Sequence, residues 1–330
     1  MNIGEVRKEL ISFLGEYWDR TQDFIVRSLA SDIELLDETN KSILASSGKQ
    51  MRPMLSLLTA SACSGGKITE DSCRYAAAVE LLHNATLLHD DVADDSLERR
   101  GVPTVYSTLG GTASVLIGDF WLVRSVNLVL ESGDSEEMVR MFARTMQRLA
   151  EGEMLQLQKA ESGDTTEEEY LKIIYCKTAS LFETACVSGA VSVNADSALT
   201  RAASEYARCL GMAFQIKDDM LDYSGGELLG KPVGVDIRER KITLPLLGAM
   251  MNAGAGAQAE LRKMIREVEV HPEHVGYIQK FVLSNGGMEY AQSRADEFLD
   301  KAVGALEAFP DSRAKEYLVW SARFAGDRKL

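Results

Sequence analysis

Apolar residues recur at helical spacing along nearly the whole chain. Val6, Leu10, Leu14 and Trp18 form one such run, Leu55, Leu58 and Ala62 a second, and Val139, Phe142, Met146 and Leu149 a third. A spacing of three to four residues gathers each set on one helix face, whereas the period-two alternation of a strand is almost absent. Breaks fall at Ser47-Gly48, Ser64-Gly65-Gly66, Arg100-Gly101, Gly110-Gly111, Ser132-Gly133-Asp134, Ser162-Gly163-Asp164, Ser224-Gly225-Gly226 and Asn285-Gly286-Gly287. These glycine and small polar residues leave helical geometry at little cost and punctuate intervals of roughly 10 to 60 residues. The pattern predicts an all-α bundle of long helices. The segments between breaks share no signature beyond the acidic motif described below, so it is not a solenoid. Pro53 suits a first helical turn, and Thr165-Thr166-Glu167-Glu168 suits a helix start with acidic residues against the dipole. In such a bundle, sites lie between facing helices.

Composition adds limits. The six prolines among 330 residues are scattered and no linker-like stretch divides the chain, so residues 1–330 are expected to form a single domain. A hydrophobic content of 45% supplies a substantial core, and a net charge of −14 argues against a nucleic-acid partner. Cys63, Cys73, Cys176, Cys186 and Cys209 show no Cys-x-x-Cys pairing and sit in apolar or helical contexts. They are expected to be reduced, in a cytoplasmic protein. No apolar run is expected to reach the ~20 residues of a membrane span, and Glu5, Glu9 and Glu16 make the amino terminus unlike a signal peptide.

One acidic pattern occurs twice. Asp90-Asp91-Val92-Ala93-Asp94 follows Leu81, Leu82, Leu87 and Leu88, and Asp218-Asp219-Met220-Leu221-Asp222 follows Met212, Ala213, Phe214 and Ile216. Residues four apart on a helix lie about 6 Å from each other on one face, so Asp90 with Asp94, and Asp218 with Asp222, each offer paired carboxylates. Stacked like charges beside a core-facing stripe call for cations. Mg²⁺ suits them, since it takes hard oxygens and keeps company with substrate phosphates.

An anionic substrate of an acidic protein needs local cations. Gly48-Lys49-Gln50-Met51-Arg52-Pro53 joins a turn, a helix start and two positive side chains. Arg99-Arg100-Gly101 closely follows the first motif, Lys177-Thr178 lies within Tyr175–Ala179, and Lys231 and Lys241 follow the second motif. Two look-alikes fail. Gly225–Pro232 lacks the final Ser or Thr and the preceding strand of a nucleotide P-loop, and Gly254–Ala259 follows a helix where a dinucleotide fingerprint needs a strand.

Taken in order, these motifs resemble the trans-isoprenyl diphosphate synthases, the polyprenyl synthetase family, over nearly the whole chain. The ordered set is Gly48-Lys49-x-x-Arg52-Pro53, Glu80-Leu81-Leu82-His83, Leu88-His89-Asp90-Asp91-x-x-Asp94, Arg99-Arg100-Gly101, Gly118-Asp119-Phe120, Glu151-Gly152-Glu153 and Lys177-Thr178-Ala179. Phe214-Gln215-Ile216-Lys217-Asp218-Asp219-x-x-Asp222, Gly230-Lys231, Gly234-x-Asp236 and Lys241-x-Thr243-Leu244-Pro245 complete it. Gln50 and Ser47 stand where the family usually has Arg and Gly. The resemblance implies an isoprenoid synthase bundle with a central substrate cavity. In it about three Mg²⁺ ions on Asp90, Asp94, Asp218 and Asp222 hold an allylic diphosphate. Arg99, Lys177, Thr178, Gln215 and Lys231 surround its phosphates, with Lys241 close by, while Lys49, Arg52, His83 and Arg100 hold isopentenyl diphosphate. Asp90, Asp91, Asp94, Lys177, Asp218, Asp219 and Lys231 form the catalytic set. A homodimer, a role in quinone side chains and transient membrane contact at product release are implied too.

Residues four and five before Asp90 are Thr86 and Ala85. One helical turn deeper than the metals, both are expected to face the growing tail, and the resemblance says that short-chain members carry Phe or Tyr there. With Leu82 and Ala78 further down, small side chains predict a long-chain product, octaprenyl diphosphate, grown from farnesyl diphosphate. A shorter-chain geranylgeranyl synthase, a class I terpene cyclase and a non-catalytic subunit of a heteromeric synthase are the alternatives.

Overall fold

The computed structural model describes residues 3–46, 48–99, 101–133, 135–224 and 234–326, with the backbone alone for residues 3 and 4. The chain is all-α, as expected, and among the described residues the only strands are a two-residue pair. Helices run α1 Ile3–Leu14, α2 Glu16–Ser28, α3 Glu34–Ala45, α4 Met51–Ser64 and α5 Glu70–Ala93. A ribbon follows, β1 Glu98–Arg99 antiparallel to β2 Val102–Pro103, then α6 Val105–Leu109, α7 Gly111–Leu130, α8 Ser135–Ser162 and α9 Glu167–Ile174. A π-helical turn, Tyr175–Ala179, leads into α10 Ser180–Val191 and α11 Ser197–Ser224. The remainder is α12 Val235–Arg238, α13 Leu244–Met251, α14 Ala255–Arg266, α15 His274–Ser284, α16 Gly287–Ala305 and α17 Arg313–Gly326.

Two compact units result. The first comprises Met1–Ala143, Thr184–Ser204 and Ala308–Leu318, and the second Arg144–Glu183, Glu205–Glu307 and Val319–Leu330.

In the first unit, α5 packs against α2, α4 and α7. Alanines 76–78, Leu81, Leu82 and Ala85 are buried on it, and α4 is buried on every side from Pro53 to Ala62. Such helices lie close because their surfaces are small. A Cβ on Gly189 would meet the Ser56 carbonyl oxygen at 2.2 Å. The start of α5 is secured by a reciprocal cap between Thr69 and Ser72, and Ser72 Oγ also lies 2.6 Å from Ser192 Oγ. Capping of this kind contributes about 1 kcal/mol. Between α5 and α7, Ser114 and Ser125 donate to the carbonyls of Leu88 and Ala78, each at 2.8 Å.

Helix α7 corrects the sequence reading. Its 20 residues and mean hydropathy of 1.5 make it long and apolar enough to cross a membrane by length and composition alone. Asp119 and Arg124 interrupt the run in the sequence and hid its length, and α7 packs along α5. Two other expectations also shift. The run Val6–Trp18 is buried as predicted but is divided at Gly15, whose φ of 52° breaks α1 from α2. On the first half of α8 the buried residues are Met138, Phe142 and Thr145, while Val139, Met146 and Leu149 are half-exposed, so the stripe is rotated from the predicted one.

In the second unit, Leu244–Met250 of α13 are all buried, against α16, α15 and α9. Cβ atoms on Gly248 and Gly287 would approach Tyr290 at 2.7 Å and the Pro245 carbonyl at 2.2 Å. The predicted start of α9 is found: Thr166 accepts from the Glu169 backbone N–H, and Glu169 accepts from that of Thr166. Glu167, one residue on, takes hydrogen bonds from Tyr290 at 2.6 Å and Arg294 at 3.1 Å, tying α9 to α16.

Candidate active site

The first acidic motif occupies the last turn of α5, and Asp94 is its C-cap, with the Asp94 N–H donating to the Asp90 carbonyl at 2.8 Å. The four-residue relation of the two carboxylates is therefore kept at the negative end of a 24-residue helix, where the dipole favours cations. Asp90 is half-buried and Asp94 exposed. Asp91 turns inward. Its Oδ1 accepts from Arg99 Nε at 2.9 Å and Nη2 at 2.8 Å. Burial pushes the Asp91 carboxyl above its usual range and the guanidinium opposes this. Asp91, one of the expected catalytic groups, thereby also anchors Arg99, on β1, beside the motif. Arg100 lies outside the described residues.

Of the cations assigned to the second substrate, Lys49 is exposed just before α4, while Arg52 in its first turn and His83 on α5 are half-buried. Gln50 departs from the family pattern for a use of its own. It holds the left-handed region at φ 52°, ψ 45° and its amide donates to Gln22 at 3.3 Å, so it fixes the turn. A left-handed residue other than glycine costs about 1 kcal/mol, which the part-buried hydrogen bond helps to offset.

In the second unit, the Lys177-Thr178 pair lies on the π-helical turn. A π turn inserts one extra residue per turn, leaves part of the backbone ladder mismatched and is frequent at functional sites. Here two glycines admit it. A Cβ on Gly152 of α8 would lie 2.6 Å from Cys176 Cβ and 2.9 Å from Lys177 Cγ, and one on Gly211 of α11 would lie 2.5 Å from Ala179 Cα. Lys177 pairs with Glu153, and Lys241 with Glu239. Thr178 donates to Gln215 at 2.7 Å, Gln215 donates to Asp219 at 2.8 Å, and the Tyr170 hydroxyl donates to the other Asp219 oxygen at 2.6 Å. Lys231 lies outside the described residues.

Asp218, Asp219 and Asp222 sit in the last two turns of the 28-residue α11, again at a negative helix end. Asp218 is half-buried. Asp219 is buried, and burial drives its carboxyl well above the ordinary range against the pull of Tyr170 and Gln215. Asp222 carries a task the sequence did not announce. Its two oxygens accept the backbone N–H groups of Val235 and Asp236, both at 3.0 Å, which caps α12. Tyr170 was missed altogether, because a tyrosine at a helical apolar position reads as ordinary core.

Thr86 shares the Asp90 face, half-buried, with its hydroxyl donating to the His83 carbonyl at 2.8 Å. Ala85 does not share it. At about 100° per residue it falls on the stripe of Ala78, Leu82, His89 and Val92. That stripe faces α7: a Cβ on Gly118 would lie 2.4 Å from His89 Nε2, and one on Gly111 3.5 Å from Val92 Cγ1. Ala85, Leu82 and Ala78 are buried there, so Ala85 and Thr86, both expected to face the tail, lie on different faces of α5.

The donor set fits Mg²⁺. Asp90, Asp94, Asp218 and Asp222 offer hard, acceptor-only oxygens at helix C-termini, and Asp91, Asp219 and Asp222 accept from protein donors. An all-α fold with two aspartate-rich helix ends, each accompanied by cations, defines a class: prenyl-transferring enzymes that act on diphosphates. The chain belongs to the polyprenyl synthetase family, whose profile matches residues 33–282, and it is a trans-prenyltransferase. The family depends on Mg²⁺ and acts on isopentenyl and allylic diphosphates. The chain is 38% identical over 305 residues to octaprenyl diphosphate synthase of Escherichia coli (strain K12), covering 92% of this chain and 93% of that one. Among solved structures it is similar to a decaprenyl diphosphate synthase from Rhodobacter capsulatus, at 33% identity and TM-score 0.89 over 98% of this chain and 99% of that one. It is also similar to a polyprenyl synthase from Caulobacter crescentus CB15 complexed with calcium and isoprenyl diphosphate, at 34% identity and TM-score 0.88 over 98% of each.

Proposed function

We propose that the protein adds isopentenyl diphosphate units head-to-tail to farnesyl diphosphate, yielding all-trans octaprenyl diphosphate for quinone side chains. The observation that carries the long-chain reading is the small Thr86 on the Asp90 face, one turn before the motif. It puts a hydroxyethyl group where an aromatic ring would fill the space. The likeness to an octaprenyl diphosphate synthase over nearly the full length supports the same product class. In this reading Asp90, Asp94 and Asp218 hold Mg²⁺, with Asp222 adding a remaining lone pair. Bound Mg²⁺, about three ions, neutralises charge on the departing diphosphate. Arg99, Lys177, Thr178, Gln215, Lys231 and Lys241 orient that diphosphate, and Asp91 and Asp219 orient Arg99 and Gln215. Lys49, Arg52, His83 and Arg100 hold isopentenyl diphosphate, whose double bond attacks the allylic carbon.

Incubation with farnesyl diphosphate, labelled isopentenyl diphosphate and Mg²⁺, followed by mass spectrometry of the dephosphorylated prenols, tests the reading. Labelled octaprenol is expected. Labelled geranylgeraniol alone would indicate the shorter-chain synthase, and unlabelled hydrocarbon a cyclase. Turnover only with a second protein would indicate a non-catalytic subunit.

A cytoplasmic homodimer is part of the same proposal. Leu116, Val123 and Leu130 recur every seven residues on α7 and are 63%, 56% and 56% exposed, an apolar seam suited to a second copy. Light scattering of Leu116→Glu/Val123→Glu should then give a monomer, and an unchanged dimer would reject this face.

A further inference from the structure

The second unit contains a hydrogen-bonded chain whose polarity is set by one buried carboxylate. Tyr170, Thr178 and Asp219 are 3%, 8% and 6% exposed. Asp219, when ionised, only accepts. Its Oδ1 receives Gln215 Nε2 at 2.8 Å, so the Gln215 amide must turn its nitrogen toward Asp219 and its oxygen toward Thr178. Thr178 therefore gives its one hydroxyl hydrogen to Gln215 Oε1, at 2.7 Å. What remains for a ligand is a set of fixed sign: one N–H on Gln215 and lone pairs on Thr178. Were the Gln215 amide reversed, its oxygen would face the carboxylate and its N–H groups would face Thr178.

Asp219 is held from its other side by Tyr170, through Oδ2 at 2.6 Å. Tyr170 stands on a tethered helix, since α9 is capped at Thr166 and tied to α16 through Glu167. Both ends of the chain thus belong to α9 and the π turn, and its middle belongs to α11. We propose that Tyr170 is a positioning residue for the prenyl transfer: by fixing Asp219 it holds the Gln215 amide so that its remaining N–H is presented to the allylic diphosphate, while Thr178 holds the amide oxygen. The inference rests on the reading of Gln215 as a group that faces that diphosphate.

The test is a kinetic double-mutant cycle on the full-length enzyme with both diphosphates and Mg²⁺. Tyr170→Phe keeps the ring and removes only the hydroxyl. A hydrogen bond to a charged group contributes enough that KM for the allylic diphosphate should rise about tenfold, with KM for isopentenyl diphosphate changed less than about twofold. Gln215→Ala should raise the same KM, and the double variant should be no worse than Gln215→Ala alone, because Tyr170 acts through Gln215. Thr178→Val removes the far end of the chain without touching Tyr170 and should shift the same constant. Multiplying effects, equal rises in both KM values, or unchanged kinetics with a lowered melting temperature would each overturn the proposal. A wild-type enzyme without isopentenyl incorporation would instead overturn the functional reading beneath it.

Discussion

Replacing Gly152 by alanine sets two effects of opposite sign against each other. In an open helix the change stabilises by about 1 kcal/mol, because alanine has the higher helix propensity. At Gly152 the added Cβ would lie 2.6 Å from Cys176 Cβ, 2.9 Å from Lys177 Cγ and 3.2 Å from Lys177 N. Carbon atoms pack at about 3.5–4 Å, so α8 and the π turn must separate by about 1 Å. Overpacking of this kind costs about 1–3 kcal/mol, which after the propensity gain leaves a net loss of up to about 2 kcal/mol. At roughly 2–4 °C per kcal/mol, the melting temperature should fall by up to about 8 °C. Because Lys177 moves with the turn, kcat/KM should fall by as much as about 100-fold, the penalty expected for a 1 Å misplacement. Gly304→Ala is the control. Gly304 lies in α16 with nothing within 4 Å of an added Cβ, so the same substitution there should raise the melting temperature and leave activity intact. Calorimetry and steady-state rates on the two variants decide the matter. A Gly152→Ala enzyme as stable and as active as Gly304→Ala would refute the claim that this glycine exists to admit the π turn.

Ala85→Phe should shorten the product in chromatography of the prenols at a modest cost in stability. Unchanged products with a melting temperature lowered by several degrees would show that the α5–α7 stripe is simply packed tight there. Alkaline pH should destabilise the fold. Burial pushes the Cys63 and Cys209 thiols up to about 12 and that of Cys73 up to about 11. An unfolded thiol loses its proton near its ordinary pKa, so between pH ~9 and ~11 the folded state binds more protons and stability falls as pH rises. The slope is at most about 1.4 kcal/mol per pH unit for each buried thiol, and less for the partly exposed Cys63. Urea melts at pH 8, 9 and 10 should show a declining midpoint, and a flat series would contradict the assignment.

The sequence by itself determined the class. Helical periodicity and glycine punctuation are local properties, so the all-α fold, the capped start of α9 and the buried stripe at Val6, Leu10, Leu14 and Trp18 were legible before any packing was known. The two aspartate motifs were legible for the same reason, since a four-residue spacing on a helix fixes which carboxylates share a face. Tertiary structure decided what each aspartate does. Asp91 was indistinguishable from Asp90 until Arg99 folded back on it, and Asp222 from Asp218 until the backbone amides of Val235 and Asp236 closed on its oxygens. Tyr170 gave no signal because its partner lies 49 positions away. The rotation of Ala85 onto α7 needed only helix geometry, but its meaning needed Gly118 and Gly111 to show where α7 runs. Spacing within one helix is set by covalent geometry and hydrogen bonds between near neighbours. Which buried carboxylate faces a cation, an amide or a tyrosine is set by contacts distant in sequence, and only the folded chain brings those together.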